Sequence, residues 1–291
     1  MTIECVPNFS EGRDRVVVAA LERSVTGVAG VMLLDSTSDV DHNRTVLTFA
    51  GEPRAVADAA LAVVATAVAR IDLTKHTGVH PRLGAADVVP FVPIEGSTLA
   101  ECAALAREAG ERIWRELHVP VYLYEAAALR PECVRLEKVR KGARAGILAP
   151  DIGDHSHPTA GWCVVGAREF LVAWNIILDT DDLAAAQDIA REIRESNGGL
   201  PAVKALGLPL LSRANVQVSI NLVDFHRTPL HVVFDAVCRL CGRRGIRVAG
   251  SELIGMIPEA ALKLSAGHDL RWLNLRPELV LEGRLRMAGR G

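Results

Sequence analysis

The sequence has no excess of basic charge, no long apolar run and no low-complexity tract. With 33 Lys and Arg against 35 Asp and Glu, its net charge at pH 7 is -2, which leaves no strongly basic face for a nucleic acid. No window of about 18 uncharged apolar residues occurs, so no membrane-spanning helix is expected. The N-terminus lacks the basic and then apolar pattern of a secretory signal. We therefore expect a globular cytoplasmic protein that binds neither nucleic acid nor membrane.

The six cysteines form no complete metal-binding pattern. They lie in apolar or helical contexts, which is typical of buried thiols in a reducing compartment. Cys238 and Cys241 form a CxxC, but it falls inside a predicted helix, and no second CxxC or nearby His pair completes a zinc set. We interpret this pair as structural.

One order of elements is predicted twice along the chain, namely strand, helix, strand, strand, helix, strand. In the first half, strands are predicted at 3–6, 31–34 and 45–49, with helices at 14–25 and 52–70. In the second half, a strand is predicted within 164–178 and others at 203–211, 215–223 and 246–253, with helices at 181–195 and 229–243. The sequence thus predicts an α/β (α+β) fold of two ferredoxin-like βαββαβ subdomains with a ligand groove between them. Residues 1–161 form the N-terminal subdomain with the catalytic loop, and residues 162–291 the C-terminal subdomain and tail.

Residues 76–93, HTGVHPRLGAADVVPFVP, carry the densest group of reactive side chains and lead into an apolar run that predicts a buried strand. Pro81 biases the preceding His80 toward an extended backbone. Arg82 can hold a carboxylate by a two-pronged salt bridge, and an imidazole has an unperturbed pKa of about 6.5. His80 beside Arg82 therefore indicates proton transfer on an amino-acid-like substrate.

Other interpretations of this segment remain open. His76 and His80 are spaced i, i+4, which on a helix would form a metal pair, although the glycine and proline around them disfavour a helix. A histidine in such a loop is also commonly a hydrogen-bonded structural residue. Asp87, or a residue of the polar bend at 39–44, could orient an imidazole. That bend is equally typical of N-cap and turn chemistry.

Two other polar segments stand out. The loop at 151–161, DIGDHSHPTAG, lacks the spacing of a GxGxxG motif or a P-loop, so it does not predict a phosphate cradle. The basic run at 135–144 is interpreted as the solvated face of a helix, which could also attract an acidic tail on a ligand.

Several motifs, taken together, carry a family resemblance. They are ECVPNFSEG at 4–12, NRT at 43–45, HxGxHPRxGA at 76–85 with DV at 87–88 and PFxP at 90–93, VPVYLY at 119–124, GAR at 166–168, Asn175, the run 198–207, QVS at 217–219 and NL at 221–222. As a set they resemble the glutamate formiminotransferase family over nearly the whole chain up to about residue 262. Any one of them alone would be a weak signal.

The resemblance implies a transferase of histidine degradation. It would move the formimino group from N-formimino-L-glutamate to tetrahydrofolate, giving 5-formiminotetrahydrofolate and L-glutamate. Tetrahydrofolate is then a co-substrate bound in the groove between two α/β subdomains, no metal is needed, and the protein is a homodimer. The cyclodeaminase domain of the animal bifunctional enzyme has no counterpart in the sequence, so we expect the stand-alone form.

The resemblance also implies roles for individual residues, and the family's general acid/base matches His80. In our hypothesis for the mechanism, Arg82 and Arg44 hold the glutamate carboxylates. The family's folate-binding loop matches Gly153, Asp154, His155, Ser156, His157, Pro158, Thr159, Ala160 and Gly161. This loop departs from the vertebrate pattern in its length and in the acidic residue and two histidines that it contains.

Three alternative functions differ from this expectation. The first is formyl transfer between 5-formyltetrahydrofolate and glutamate. The second is a metal-dependent amidohydrolase that uses the pair His76 and His80. The third is a folate-binding protein without turnover.

Overall fold

The computed structural model describes residues 1–78 and 81–288. The chain divides into two compact units, Met1–Glu169 and Phe170–Gly291. This boundary lies after Glu169 rather than after Gly161, where it was predicted, because a strand at Cys163–Ala167 pairs between two strands of the first unit. No helix within the described ranges is long and apolar enough to cross a membrane.

The first unit contains the predicted βαββαβ order and extends it. Its elements are β1 (Thr2–Cys5), β2 (Asn8–Phe9), α1 (Arg15–Thr26), β3 (Val31–Asp39), β4 (Arg44–Gly51), α2 (Pro53–Arg70), β5 (Ala86–Glu95), α3 (Leu99–Leu117), β6 (Val121–Glu125), α4 (Leu136–Arg144) and β7 (Cys163–Ala167). Strands β1 and β2 both lie between β4 and β5, and β3 is added beyond β4, all antiparallel. This is the ferredoxin-like arrangement. Strand β7 then pairs parallel with β5 on one side and β6 on the other.

Helices α1, α2 and α3 cover one face of this sheet, and their starts follow from local capping. The Asp14 side chain accepts from the backbone N–H of Val16 at the start of α1, and Pro53 occupies the first turn of α2. Thr98 and Glu101 form a capping box at the start of α3. The buried side of α2 consists of alanines and valines, and these small side chains let it pack closely on the sheet.

The second unit has the predicted ferredoxin-like topology. Its elements are β8 (Val172–Leu178), α5 (Leu183–Ile193), β9 (Val203–Leu210), β10 (Asn215–Leu222), α6 (Leu230–Gly242), β11 (Val248–Ile254), α7 (Glu259–Lys263) and α8 (Leu281–Ala288). The strands follow the order β11-β8-β10-β9 and all pairs are antiparallel. The single strand predicted within 164–178 is therefore two strands, β7 and β8, which belong to different units.

The cysteines agree with the structural interpretation of the CxxC. Cys238 and Cys241 lie on α6, and Cys241 is buried. All six cysteines lie in the described part of the chain, and each is a free thiol.

The sheet face of the first unit opposite α1–α3 holds a buried acid. Alternation along β1 sends Ile3 and Cys5 into the helix-covered core and Glu4 to the other face. Glu4 is 1% exposed, and its Oε2 atom has no hydrogen-bond partner among the described residues. Burial raises the pKa of Glu4 from 4.5 to about 7, although the charge of Arg168 acts in the opposite direction. The protonated acid is thus favoured in the folded state.

Replacing Glu4 by glutamine should stabilise the protein increasingly as the pH rises. The pKa of Glu4 is higher in the folded than in the unfolded chain, so its favourable contribution is complete below the unfolded pKa and is lost as the pH rises through the folded one. The loss reaches about 3 kcal/mol above neutral pH, and Glu4→Gln removes it. Urea denaturation between about pH 5 and about pH 8 measures the difference between variant and wild type.

A difference between Glu4→Gln and wild type that stays constant across this pH range would contradict the raised pKa of Glu4.

Candidate active site

Asp87 is the buried anion around which the candidate site is arranged. It lies at an irregularity where β2 pairs with β5, so that Asn8 pairs with Val88 and Phe9 with Ala86. Its side chain is fully buried and accepts hydrogen bonds from Arg44 Nη1 at 2.8 Å and Arg140 Nη2 at 2.6 Å.

The two guanidinium groups decide the charge of Asp87. Burial alone would raise the pKa of Asp87, but Arg140 and Arg44, with a hydrogen bond from the backbone N–H of Leu83, outweigh burial and hold it far below its usual value. Asp87 is therefore a carboxylate at neutral pH.

Asp87 also fixes the backbone just after Arg82. Its Oδ1 accepts from the N–H of Leu83 at 2.6 Å, and Arg144 on α4 donates from Nη2 to the carbonyl oxygen of Arg82 at 3.0 Å. The loop that follows the HPR motif is thus bound by β5 on one side and α4 on the other.

Arg44 was predicted to hold a substrate carboxylate, and its contacts here are internal. Its Nε donates to Asn8 Oδ1 at 3.1 Å and its Nη1 to Asp87, and its side chain is 11% exposed. These bonds favour a structural role for Arg44, and its contact with substrate stays a prediction.

The guanidinium of Arg82 lies between two segments of the site. Its Nη2 donates to the carbonyl oxygen of His42 at 3.1 Å, and its Nη1 contacts Nδ1 of His76. Nε2 of His76 lies 3.2 Å from the carbonyl oxygen of Asn43. Nη1 of Arg82 also lies 2.8 Å from Nε2 of His76. A neutral His76 ring can accept from Arg82 at one of its two nitrogens, whereas an imidazolium could not.

The electrostatics of this pair agree with that protonation state. Burial, and then the charge of Arg82, lower the pKa of His76. Burial also lowers the pKa of Arg82 to about 10, and the neighbouring charges of Arg44, Arg144 and Arg13 act in the same direction against that of Asp87. The site therefore carries an excess of positive charge.

The polar bend at 39–44 packs against this segment, as the sequence allowed. Asn43 has a left-handed backbone (φ 47°), and its side chain accepts from the N–H of Gly12 and donates to the carbonyl oxygen of Thr77, both at 2.9 Å. His42 Nδ1 lies 2.9 Å from Asp39 Oδ2. The bend thus performs turn chemistry and also holds the segment that contains His76.

The predicted folate-binding loop lies directly against the segment that follows Arg82. The N–H of Ala85 donates to the carbonyl oxygen of Ala160 at 2.9 Å, and the N–H of Trp162 to that of Leu83 at 3.1 Å. Gly161 has a positive φ of 69°, and a Cβ there would press on the Leu83 carbonyl oxygen. Two segments far apart in sequence are therefore neighbours in the site.

Within this loop, His157 maintains the turn. Its Nδ1 accepts from the backbone N–H groups of Thr159 at 3.3 Å and Ala160 at 3.0 Å. The side chains exposed to solvent, and so able to meet a ligand, are those of Asp154, His155, Ser156 and Pro158.

A cavity of about 250 Å³ opens beside His76. Its lining is mostly polar and charged. The residues are Glu11, Arg13, Asn43, Arg70, Ile71, Asp72, Lys75, His76 and Thr77.

His80, the predicted general acid/base, lies outside the described residues, as does its pairing with His76. Among residues 1–78 and 81–288, no group of three or more His, Cys, Asp or Glu side chains is arranged to hold a metal ion.

Sequence reasoning missed the role of Arg140. The basic run at 135–144 was interpreted as a solvated helix face, but the side chain of Arg140 is 16% exposed and binds Asp87. The signal was Asp87 itself, since a carboxylate at the start of a buried strand needs a cationic partner. The sequence does not show which of several arginines supplies it.

Fold and site together define a protein of two ferredoxin-like α/β units, with a cluster of arginines around a buried carboxylate in the first. The formiminotransferase domain, N-terminal subdomain, matches residues 2–168, and the formiminotransferase domain matches residues 173–277. The chain belongs to the formiminotransferase family, as its motifs predicted.

Individual relatives match along most of the chain. It is 46% identical over 269 residues to glutamate formimidoyltransferase of Streptococcus pyogenes serotype M1, covering 89% of this chain and 90% of the relative. It is 38% identical over 296 residues to that of Thermoplasma acidophilum, covering 98% of each. The formimidoyltransferase-cyclodeaminase of Mus musculus is 41% identical over 276 residues, which cover 89% of this chain and 51% of the relative.

Replacing Asp87 by asparagine should destabilise the protein by about 3–5 kcal/mol, because two buried guanidinium groups would lose their shared anion. The control is Asp58→Asn, which removes a more exposed ion pair with Arg112 (2.6 Å) and should change stability by about 1 kcal/mol or less. Urea denaturation measures both. Equal, small losses would show that Asp87 is not needed to balance the arginines.

Replacing Gly161 by alanine should test the contact between the two loops. Gly146 has nearly the same backbone conformation (φ 67° against 69°), but nothing lies near its missing Cβ. Both alanine variants bear the left-handed strain, whereas only Gly161→Ala also crowds Leu83, which should add about 1–3 kcal/mol. Equal losses of unfolding free energy in the two variants would argue against the contact.

Proposed function

We propose that the protein transfers the formimino group between N-formimino-L-glutamate and tetrahydrofolate, giving 5-formiminotetrahydrofolate and L-glutamate. The observation that carries the proposal is the match of both family domains, at 2–168 and 173–277. The bacterial and archaeal relatives that match nearly end to end are named glutamate formimidoyltransferases.

The charge of the site supports a substrate with more than one carboxylate. Arg44 and Arg140 bind the buried carboxylate of Asp87, and the charges of Arg44 and Arg144 also act on nearby Arg82. Arg140 Nε is buried and has no hydrogen-bond partner among the described residues. N-formimino-L-glutamate carries two carboxylates, and an anionic ligand of this kind offsets the repulsion among the arginines.

The reaction needs one proton to be moved between two nitrogens. The lone pair of N5 of tetrahydrofolate attacks the formimino carbon and forms a tetrahedral intermediate. The bond from that carbon to the glutamate nitrogen then breaks, and the nitrogen leaves as an amine that has gained a proton. We assign both transfers to His80, which accepts the proton from N5 and delivers it to the leaving nitrogen. Binding both substrates side by side supplies much of the rate.

Arg82 is proposed to hold one glutamate carboxylate. Its lowered pKa reflects burial beside other cations, and a carboxylate that binds it by two parallel hydrogen bonds would restore the balance of charge. Neutral His76 accepts from the same guanidinium and so helps to hold its plane in place.

The loop at 153–161 is proposed to bind the folate. Its support is position, because the backbone hydrogen bonds at Ala85 and Trp162 hold this loop beside the segment that carries Arg82. A folate that contacts the exposed residues 154–156 would then lie next to the amino-acid substrate. The homodimer and the absence of a required metal stay predictions of the resemblance.

Replacing His80 by alanine should lower kcat by about 100- to 10,000-fold, the usual contribution of a general acid/base, and leave tetrahydrofolate binding intact. An absorbance assay for 5-formiminotetrahydrofolate, with circular dichroism to verify folding, measures the loss. His226→Ala, at an exposed site of the second unit, is the control.

Near-normal turnover of folded His80→Ala would remove His80 from the mechanism. A wild-type protein that is active only with 5-formyltetrahydrofolate and glutamate would replace the formimino reaction with formyl transfer.

A further inference from the structure

The structure leaves the second carboxylate of the amino-acid substrate without an evident partner. Arg82 accounts for one carboxylate in the proposed function. Arg44, the other predicted ligand, already donates to Asp87 and Asn8 and is largely buried. A second cation near Arg82 is therefore needed.

Arg13 occupies a suitable position. It precedes α1 and lines the cavity beside His76. Its Nε donates to the carbonyl oxygen of Val40 at 2.8 Å and its Nη1 to Thr77 Oγ1 at 3.2 Å. These two bonds connect it to both flanking segments and fix the direction of its guanidinium before any ligand arrives.

The charges that line the cavity leave it positive at Arg13. Glu11 Oε1 accepts from the N–H groups of Arg13 and Asp14, at 2.7 and 2.9 Å. Asp72 is paired with Lys75 at 3.1 Å. The lining therefore holds three cations, Arg13, Arg70 and Lys75, against the two carboxylates of Glu11 and Asp72. The guanidinium of Arg13 contacts a carbonyl and a hydroxyl oxygen, and neither of these carries a charge.

The size of the cavity is compatible with a small ligand. At about 250 Å³ it is smaller than the range of about 300–1,000 Å³ that is typical of sites for drug-sized ligands. It suits an amino-acid-sized molecule better than a folate. Its lining includes His76, whose ring contacts Arg82. Arg82 is not itself a lining residue, so a ligand must extend past His76 to reach that guanidinium.

We propose that this cavity receives the glutamate part of the amino-acid substrate, with Arg13 binding one carboxylate and Arg82 the other. Arg13 is then a specificity-determining residue. The inference rests on the proposed transfer reaction for the identity of the ligand, but the cavity and its charges do not depend on turnover.

The first experiment compares steady-state kinetics of wild type, Arg13→Ala and Arg13→Lys. Arg13→Ala should raise the KM for N-formimino-L-glutamate by about 10- to 100-fold, the range for loss of a charge-assisted hydrogen bond. The KM for tetrahydrofolate should change by less than about twofold, and Arg13→Lys should recover part of the loss. Arg15→Ala, an exposed arginine at the start of α1, should behave as wild type.

The second experiment removes one substrate carboxylate at a time. For wild type, both the α-amide and the γ-amide of N-formimino-L-glutamate should have a higher KM than the unmodified substrate, and each rise in KM is the penalty for losing one carboxylate. In Arg13→Ala one of these two penalties should disappear and the other remain, because the deleted guanidinium faces only one carboxylate. Retention of both penalties, or an equal rise in the KM of both substrates, would overturn the assignment.

Direct binding of L-glutamate separates this inference from the reaction. Calorimetry should show binding to wild type and its loss in Arg13→Ala. Binding that depends on Arg13 without turnover would support the cavity and refute the transfer reaction. Turnover with unchanged KM and unchanged glutamate binding in Arg13→Ala would support the reaction and refute the cavity.

Discussion

The carboxylate of Asp87 binds two guanidinium groups in a buried part of the first unit. Without it, Arg44 and Arg140 would face each other as buried like charges, which a low-dielectric interior does not tolerate. The same carboxylate accepts a backbone N–H from Leu83. One buried charge therefore determines how β4, β5, α4 and the loop after Arg82 fit together. The position of Arg82 follows from this arrangement rather than from its own contacts alone.

The arginines clustered near Asp87 create a positive electrostatic potential in the site before any substrate binds. Such a field is most useful where charge must be bound and held in a fixed place, since fixed donors need no reorganisation at the moment of reaction. The backbone carbonyl oxygens of His42 and Asn43 contact Arg82 and His76, and the Asn43 side chain donates to the carbonyl oxygen of Thr77. These bonds hold the segment that contains His76 and Arg82 against the bend at 39–44.

Much of the fold could be predicted from hydrophobic periodicity. A strand or helix with one buried face has apolar residues at the spacing of that face, and this spacing is visible in the sequence. Both βαββαβ units were found in this way, whereas the segment 76–93 was identified by its reactive side chains. The domain boundary was not found, since an apolar run does not reveal which sheet a strand joins, and β7 joins the first. The partners of Asp87 were also inaccessible, because they come from residues 43 and 53 positions away. Arg140 was predicted to be exposed for the same reason, because the charge pattern of α4 does not show which residues pack against the helix.

Strand β7 enters the sheet between β5 and β6, although it follows both in the chain. Until residues 163–167 have been synthesised, one edge of β5 and one edge of β6 lack the strand that pairs with both of them. Pairings over such long separations form slowly, and unpaired edges promote aggregation. The loop at 153–161, whose Ala160 carbonyl oxygen accepts from the N–H of Ala85, leads directly into β7. A ribosome-bound chain that ends before β7 would therefore contain every predicted site residue but still lack the strand that joins β5 to β6.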